Sequence, residues 1–178
     1  MKSLLILSII CSMTLLSSEH YIDFGEAQSE YQWFIVNDGV MGGLSEGNFT
    51  LEGDHGVFSG DLSLENNGGF SWAKSNTTLE NLSDKTKMKI RVKGDGRTYA
   101  FTVETQTAQR VAYYGSTFVA GEEWQEIELS AESFRLNYFG RDMGEVLETF
   151  DPAFRIGIIL ADKKKGPFRM EIDYIDML

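Results

Sequence analysis

Short segments in which apolar and polar residues alternate recur along most of this 178-residue chain. In the clearest of them, Lys87–Lys93, the apolar residues Met88, Ile90 and Val92 alternate with cations. A period of two places the apolar side chains on one face of a β-strand and the cations on the other. Such segments, separated by glycine- and asparagine-rich turns, predict an all-β sandwich. The predicted strands are Tyr21–Phe24, Trp33–Val36, Asn48–Glu52, Val57–Leu64, Gly69–Lys74, Lys87–Lys93, Tyr99–Thr105, Arg110–Phe118, Gln125–Leu129, Phe154–Leu160 and Arg169–Met177.

The same pattern leaves little of the chain for helix. We predict one helical turn at Ser130–Phe134 and another at Gly144–Phe150, which Asp151-Pro152 would end. We interpret Gly94-Asp95-Gly96 as a hairpin turn between the strands that flank it.

A second alternating segment offers a neighbour for the cationic strand. Gln125–Leu129 places Glu126 and Glu128 on one face and apolar residues on the other. If it lies beside Lys87–Lys93, acids would face cations across the ladder, and each pair would contribute about 0.2–1 kcal/mol. We favour this charge-balanced, solvated face over the alternative, an anion or sugar-acid site on the cationic stripe.

Residues 1–20 have the layout of a secretory signal peptide. Lys2 provides a positive start, Leu4–Leu16 is a mostly apolar run, and Ser17-Ser18 offers small residues for cleavage. The run is short for a membrane span, and an uncleaved anchor is the alternative. We therefore expect an exported protein, periplasmic or secreted, with one domain over residues 21–178 and no integral membrane span after cleavage.

Charge and residue usage exclude several classes of function. The net charge of −11 disfavours nucleic acid and anionic membrane surfaces as partners. Cys11, the only cysteine, lies in the signal segment, which removes thiol and cysteine–zinc chemistry from the mature chain. Of the two histidines, His20 lies near the predicted cleavage point, and we place His55 in a solvated turn. We predict no catalytic residue and a non-enzymatic binding module.

A carboxylate-dependent glycoside hydrolase is the enzyme class that this composition leaves open. Such an enzyme needs an acid and a base about 5–10 Å apart. Asp38, Asp61, Glu65 and Asp95 are available, but nothing in the sequence pairs them. We therefore prefer the binding module.

Several stretches of sequence occur in a characteristic order, together with Trp124 and Phe134. The first ends in Asn-Asp-Gly-Val-Met-Gly-Gly-Leu-Ser, and the stretches are Trp33–Ser45, Phe58–Leu64, Asn67–Ser71, Arg91–Tyr99 and Gly166–Ile175. Their order and spacing resemble the complex I intermediate-associated protein 30 family over nearly all of the mature chain. The resemblance implies a galactose-binding-like jelly roll with little helix, similar in fold to several carbohydrate-binding modules.

The resemblance also implies a function. Mitochondrial members of that family are complex I assembly factors, so we expect a protein partner and an assembly-factor or chaperone-like role. An exported carbohydrate-binding module that binds a glycan is the alternative.

We assign mainly structural roles to the residues of the family motifs. Asn37-Asp38-Gly39 suits a tight turn, because these residue types tolerate left-handed or self-bonded backbone. Gly42-Gly43 permits a close approach of the backbone, and we expect Arg97 to pair with a nearby acid. The motif residues are Asn37, Asp38, Gly39, Met41, Gly42, Gly43, Gly94, Asp95, Gly96 and Arg97.

A candidate ligand-binding face combines aromatic and cationic residues. Its members are Trp72, Lys74, Arg91 and Trp124. Aromatic rings offer flat apolar faces that suit sugar rings, and Tyr113 and Tyr114 are further candidates. The family pattern leads us to expect a small residue at 72 and an arginine at 74, so this surface would bind a different ligand here. We expect Trp72 and Trp124 to be exposed, whereas alternation points Tyr99 inward.

Related jelly rolls often hold a structural calcium ion between an N-terminal loop and the last strand. Here Asp23 and Glu26 lie early in the chain and Asp173 lies in the last predicted strand. Hard oxygen ligands from distant segments suit calcium, which is the one exception to our expectation of no cofactor. In the alternative interpretation, Asp23 and Asp173 are edge residues bonded to backbone amides.

Overall fold

The computed structural model describes residues 20–25, 32–76, 82, 84–105, 112–151 and 153–178. Residues 1–19, which hold nearly all of the predicted signal peptide, lie outside the described residues, as does Glu26. Within the described part of the chain, no helix combines the length and apolar character needed to cross a bilayer.

Strands dominate the described residues, and the helical segments are short 3₁₀ turns at Asp38–Met41, Glu65–Asn67 and Ala131–Ser133. The strands are β1 (Ile22–Asp23), β2 (Trp33–Asn37), β3 (Glu46–Glu52), β4 (His55–Leu62), β5 (Ser71–Ser75), β6 (Lys87–Lys93), β7 (Thr98–Thr105), β8 (Ala112–Val119), β9 (Gln125–Ser130), β10 (Arg135–Tyr138), β11 (Arg141–Val146), β12 (Ala153–Leu160) and β13 (Gly166–Met177).

These strands form two antiparallel sheets that pack face to face. One has the order β3-β4-β13-β6-β9, with β1 also paired to β13, and we call it the six-stranded sheet. The other has the order β11-β10-β8-β7-β12-β5-β2, and we call it the seven-stranded sheet. The arrangement confirms the all-β sandwich that the alternating pattern predicts.

Apolar side chains from both sheets fill the space between them. In β6, Met88, Ile90 and Val92 are fully buried, as the alternation predicted. Tyr99 and Phe101 of β7 meet them from the seven-stranded sheet, which confirms the inward orientation expected for Tyr99. Burying an apolar side chain of this size stabilises the fold by about 1.5–3 kcal/mol.

The outer face of β6 is charge-balanced, as predicted. β9 lies beside it, with Lys89 opposite Glu128 and Arg91 opposite Glu126. Lys89 Nζ also lies 3.7 Å from Glu126 Oε2. The glutamate side chains are more than half exposed, so the pairs balance charge more than they stabilise the fold.

Two local predictions were wrong. Gly144–Phe150 does not form a helix, because β11 pairs with β10, and Gly144 adopts a φ of +77° that ends helical geometry. Gly94-Asp95-Gly96 is not a hairpin turn, because it joins β6 of the six-stranded sheet to β7 of the seven-stranded sheet. The crossover packs tightly: a Cβ on Gly94 would lie 2.5 Å from the Cβ of Ala120. The 3₁₀ turn at Ala131–Ser133 confirms the turn predicted in that region.

Candidate functional site

The first motif builds a loop around a buried carboxylate. The chain leaves β2 at Asn37 and enters the 3₁₀ turn, where the Asp38 side chain points inward and is buried. Its Oδ1 accepts a hydrogen bond from the Ser45 amide at 2.9 Å, and its Oδ2 accepts from Ser45 Oγ at 2.6 Å. Oδ2 also accepts from the amides of Gly69 at 2.6 Å and Phe70 at 3.3 Å. One side chain thereby ties the loop to the segment that leads into β5.

The glycines of this motif make room for that carboxylate. A Cβ on Gly43 would lie 2.3 Å from Asp38 Cγ, and one on Gly68 would lie 2.5 Å from Asp38 Oδ2. Gly42 has a φ of +91°, and its amide donates to the Gly39 carbonyl at 3.1 Å. The motif therefore encodes a close packing that larger residues would break.

The hydrogen bonds also set the ionisation of the buried carboxyl. Burial raises the pKa of Asp38, but the hydrogen bonds from Ser45, Gly69 and Phe70 outweigh burial and lower the pKa below its ordinary value. Asp38 is thus a charged structural group at neutral pH. This geometry supports the structural role assigned to it from the sequence.

The same loop exposes apolar side chains. Val40 is 75% exposed, Met41 64% and Leu44 55%. We call residues 39–44 the apolar loop. The side-chain amide of Asn66 donates to the Gly42 carbonyl at 3.1 Å, which joins the apolar loop to the next turn along the chain. From the sequence, Met41 was listed only as a motif residue, and Val40 and Leu44 were not selected. The available signal was the placement of apolar residues between the glycines of a turn.

The second motif forms a structural clamp. The Arg97 guanidinium is largely buried and makes a two-point contact with Asp162, from Nη2 to Oδ1 at 2.7 Å and from Nε to Oδ2 at 3.1 Å. Arg97 Nη1 also donates to the carbonyls of Gly166 and Pro167, each at 3.0 Å. The hydrogen bond to Asp162 raises the pKa of Arg97. The predicted pairing of Arg97 with an acid is confirmed.

Asp95 has equally complete partners. Its carboxylate accepts hydrogen bonds from the Tyr99 hydroxyl at 3.1 Å, the Arg97 amide at 3.0 Å and the Arg169 amide at 2.9 Å. Gly96, with a φ of +78°, lets the chain turn between the sheets. These contacts join the β6–β7 crossover to β7 and β13. We therefore assign Asp95 a structural role.

The exposure predicted for Trp72 was wrong. Trp72 is 8% exposed and lies along the outer face of the seven-stranded sheet, where its Nε1 donates to Thr102 Oγ1 at 3.0 Å. It crosses β12 at Gly157, where a Cβ would lie 2.7 Å from the indole nitrogen. Lys74 Nζ lies 3.7 Å from the centroid of the indole ring and 2.8 Å from Glu104 Oε1. The indole is therefore packed against its own sheet.

Arg91 and Trp124 lie together on the other sheet, away from Trp72. The Arg91 guanidinium is 4.9 Å from the Trp124 ring centroid and forms an ion pair with Asp173. The His55 ring lies 4.7 Å from the same tryptophan, at the start of β4 and not in a turn. Trp124 is half-buried. Because Trp72 and Lys74 lie on one sheet and Arg91 and Trp124 on the other, the four residues of the candidate ligand-binding face do not form one surface.

The residues proposed for calcium also have protein partners. Asp173 is paired with Arg91, and Asp23 Oδ1 accepts a hydrogen bond from the Gly25 amide at 2.8 Å. β1 pairs with β13, which places Asp23 opposite Tyr174. Among the described residues, no group of three or more histidine, cysteine, aspartate or glutamate side chains is arranged to hold a metal ion.

Comparison with known proteins gives a family and a fold. The family model of Complex I intermediate-associated protein 30 (CIA30) matches residues 22–172. The mitochondrial Complex I intermediate-associated protein 30 of Mus musculus is 32% identical over 113 residues, which are 60% of this chain and 31% of that protein. The match therefore spans about a third of the length of this curated relative.

The similar solved structures include carbohydrate-binding modules. The family 11 module of the cellulosomal cellulase Lic26A-Cel5E of Clostridium thermocellum has a TM-score of 0.61 at 16% identity, covering 89% of this chain and 92% of that one. A family 11 module of the same organism, in complex with a β-1,3-1,4-mixed-linked tetrasaccharide, has a TM-score of 0.59 at 16% identity, covering 89% and 94%. At this identity the likeness shows the fold and not the ligand.

Proposed function

This chain belongs to the complex I intermediate-associated protein 30 family, and we propose that it is a non-catalytic module that binds a partner protein through its apolar loop. The observation that carries this proposal is the exposure of Val40, Met41 and Leu44 in a loop that a buried carboxylate holds in place. Exposed apolar groups that are clustered in this way mark interaction surfaces.

The rigidity of the apolar loop supports the proposal. Binding normally costs free energy for each loop and side chain that becomes ordered. Because the four hydrogen bonds to Asp38 already fix the backbone around residues 39–44, that cost is reduced. The buried side chain of Asp38 thus holds in place the loop that exposes Val40, Met41 and Leu44.

The proposed partner is an intermediate of a protein assembly. The curated relative is named for its association with a complex I intermediate, and we extend to this chain an assembly-factor or chaperone-like role. The predicted signal peptide directs the search for the partner to the cell envelope or to secreted proteins.

A carbohydrate-binding role is the second candidate, and one observation favours it. The Tyr113 ring is half-buried and lies edge-on to Trp72 at 4.7 Å, beside Lys74 and Glu104 on the outer face of the seven-stranded sheet. Aromatic and charged groups on a sheet face suit a sugar. The low exposure of Trp72 leaves this candidate weaker than the apolar loop.

Quantitative affinity capture with two matched variants tests the proposal. Tagged full-length protein is expressed in its own cells, and captured proteins and polysaccharide are measured for wild type, Leu44→Asp and Val119→Asp. Leu44 and Val119 are 55% and 54% exposed, so the two changes add the same charge at equally exposed apolar sites. We expect Leu44→Asp to reduce recovery of one specific protein by about tenfold or more, whereas Val119→Asp retains it.

Two results would count against protein binding. Equal recovery with Leu44→Asp and wild type would remove the apolar loop from the interaction. Co-purifying polysaccharide without a protein, together with a tryptophan fluorescence response to a glycan panel, would favour the carbohydrate-binding candidate.

A further inference from the structure

A second exposed apolar group lies at the tip of the hairpin formed by β10 and β11. Tyr138 pairs with Arg141, so the turn between them consists of Phe139 and Gly140 alone. Their φ angles are +49° and +73°. Two positive φ angles in a two-residue hairpin loop define a type I′ turn.

Phenylalanine is a poor residue for the first place in such a turn. A positive φ is uncommon for any residue with a side chain, and type I′ turns favour Asn-Gly. The ring of Phe139 lies 4.8 Å from that of Tyr138, yet Phe139 remains 61% exposed. The turn therefore holds a bulky apolar residue in a strained conformation and buries little of it. Strain of this kind, without a gain in packing, points to an interaction.

The acids near the tip of the hairpin have hydrogen-bond partners, whereas the arginine beside the turn has no ion pair among the described residues. Asp142 accepts a hydrogen bond from the Gly144 amide at 2.7 Å, and Glu145 accepts one from the Tyr114 hydroxyl. Arg141, next to the turn, is exposed and forms no ion pair with any residue that the structure describes. Phenylalanine and arginine are both enriched in protein interfaces relative to the rest of the surface.

We propose that the β10–β11 hairpin makes a second contact with the partner protein, in which Phe139 enters an apolar pocket and Arg141 pairs with carboxylates on the rim of that pocket. This inference rests on the proposed function, since it assumes a protein partner. The chain's net charge of −11 repels an extended anionic surface such as a membrane, whereas one exposed cation, Arg141, suits a few carboxylates at one point of contact. β11 and β2 are opposite edges of the seven-stranded sheet, and the strand registers place the β10–β11 turn and the end of β2 at opposite ends of the strands. A partner that contacts both the hairpin and the apolar loop would therefore have to cross the sheet diagonally, over more than about 30 Å.

The first test measures stability. Phe139→Asn gives the turn its preferred Asn-Gly sequence, and we expect the melting temperature of the full-length protein to rise by about 2–4 °C. Val119→Asn replaces an apolar residue of β8 that is 54% exposed, against 61% for Phe139, and serves as the control, for which we expect no rise. A fall in melting temperature with Phe139→Asn would contradict the strained turn on which the inference depends.

The second test measures contact directly. The photo-cross-linking residue p-benzoylphenylalanine replaces Phe139, Leu44 or Val119 in separate full-length proteins, and the cells that produce them are irradiated. We expect the substitutions at 139 and 44 to cross-link the same protein, and that at 119 to give background. The peptide cross-linked at 139 should contain apolar residues and at least one acid. Adding Arg141→Glu should reduce the 139 cross-link about tenfold.

The outcomes separate this inference from the proposed function. A cross-link at 44 without one at 139 overturns the hairpin contact and leaves the proposed function standing. A cross-link at 139 without one at 44 supports the hairpin contact and removes the apolar loop. Cross-links at 139 to lipid alone, or none at either residue, overturn the hairpin contact, and the absence of both also overturns the proposed function.

Discussion

The apolar loop and the β10–β11 hairpin lie at opposite edges of the seven-stranded sheet and are built in different ways. The apolar loop follows β2 and is held by the buried carboxylate of Asp38, around which Gly43 and Gly68 leave room. The β10–β11 hairpin has a two-residue turn with Phe139 at its tip, and β11 is exposed along its length. In the apolar loop, the residues that hold the backbone differ from those that are exposed. Asp38, Gly43 and Gly68 pack together, whereas the side chains of Val40, Met41 and Leu44 face solvent.

We expect the largest loss of stability when the hydrogen bonds that hold the apolar loop are removed. Asp38→Ala removes the acceptor for the amides of Ser45, Gly69 and Phe70 and leaves these donors without a partner. We expect a loss of about 3–4 kcal/mol in the free energy of unfolding, measured by urea denaturation. Asp142→Ala in the hairpin is the control; it removes one exposed hydrogen bond, from the Gly144 amide, and should cost about 1 kcal/mol or less. If Asp38→Ala and Asp142→Ala lowered the free energy of unfolding equally, Asp38 would not be a special support of the apolar loop.

A smaller steric effect tests the same packing. In Gly43→Ala the new Cβ would collide with the Asp38 carboxyl carbon at 2.3 Å, so we expect a loss of about 2–3 kcal/mol. Gly39→Ala, four residues earlier, meets nothing within 4 Å and should stay within about 0.5 kcal/mol of wild type. Thermal or urea unfolding of the two variants measures the difference. A tolerated Gly43→Ala would show that the carboxylate can move without cost.

A change in pH probes the charge of Asp38. Its pKa in the folded protein is below the ordinary value of 3.8, so the folded state stabilises the ionised form. That stabilisation is fully present above the unfolded pKa and is lost as the pH falls through the folded pKa. Comparing urea midpoints at pH 7 and pH 3, we expect wild type to lose more stability than Asp38→Asn. Equal losses would mean that Asp38 is not ionised in the fold.

The smallest expected effect concerns the hairpin. Met143 of β11 is exposed, so Met143→Ser should change the free energy of unfolding by less than about 0.5 kcal/mol. Chemical denaturation checks this. A loss above about 1.5 kcal/mol would show that the Met143 side chain packs in the folded protein, and it would count against an exposed hairpin that can bind a partner.

Features that depend on residue type at a fixed spacing were predictable from the sequence. Alternation in Lys87–Lys93 identified the buried face of β6, and its cations faced the acids of β9 as expected. The family motifs identified the fold because a buried carboxylate such as Asp38 and an arginine clamp such as Arg97 require particular neighbours.

Features that depend on distant partners were not predictable. Trp72 is buried because Gly157, far away in sequence, lacks a side chain and Thr102 offers an acceptor. The β10–β11 hairpin escaped notice because Gly144 interrupts its alternation, and its turn has phenylalanine where asparagine would signal a hairpin. Val40 and Leu44 are exposed because the loop turns the Asp38 side chain toward the interior. The sequence alone does not show which side chains of the loop point inward.

Hydrogen–deuterium exchange of the full-length protein, alone and bound to the protein it captures, reports on both proposed contacts in one experiment. We predict slower exchange in the complex for the amides of residues 39–44 and 138–142, at the two edges of the seven-stranded sheet. We predict no change for β7, whose Thr102 and Glu104 side chains contact Trp72 and Lys74. Unchanged exchange at residues 39–44, or protection confined to β5 and β7, would show that the partner does not bind through the apolar loop.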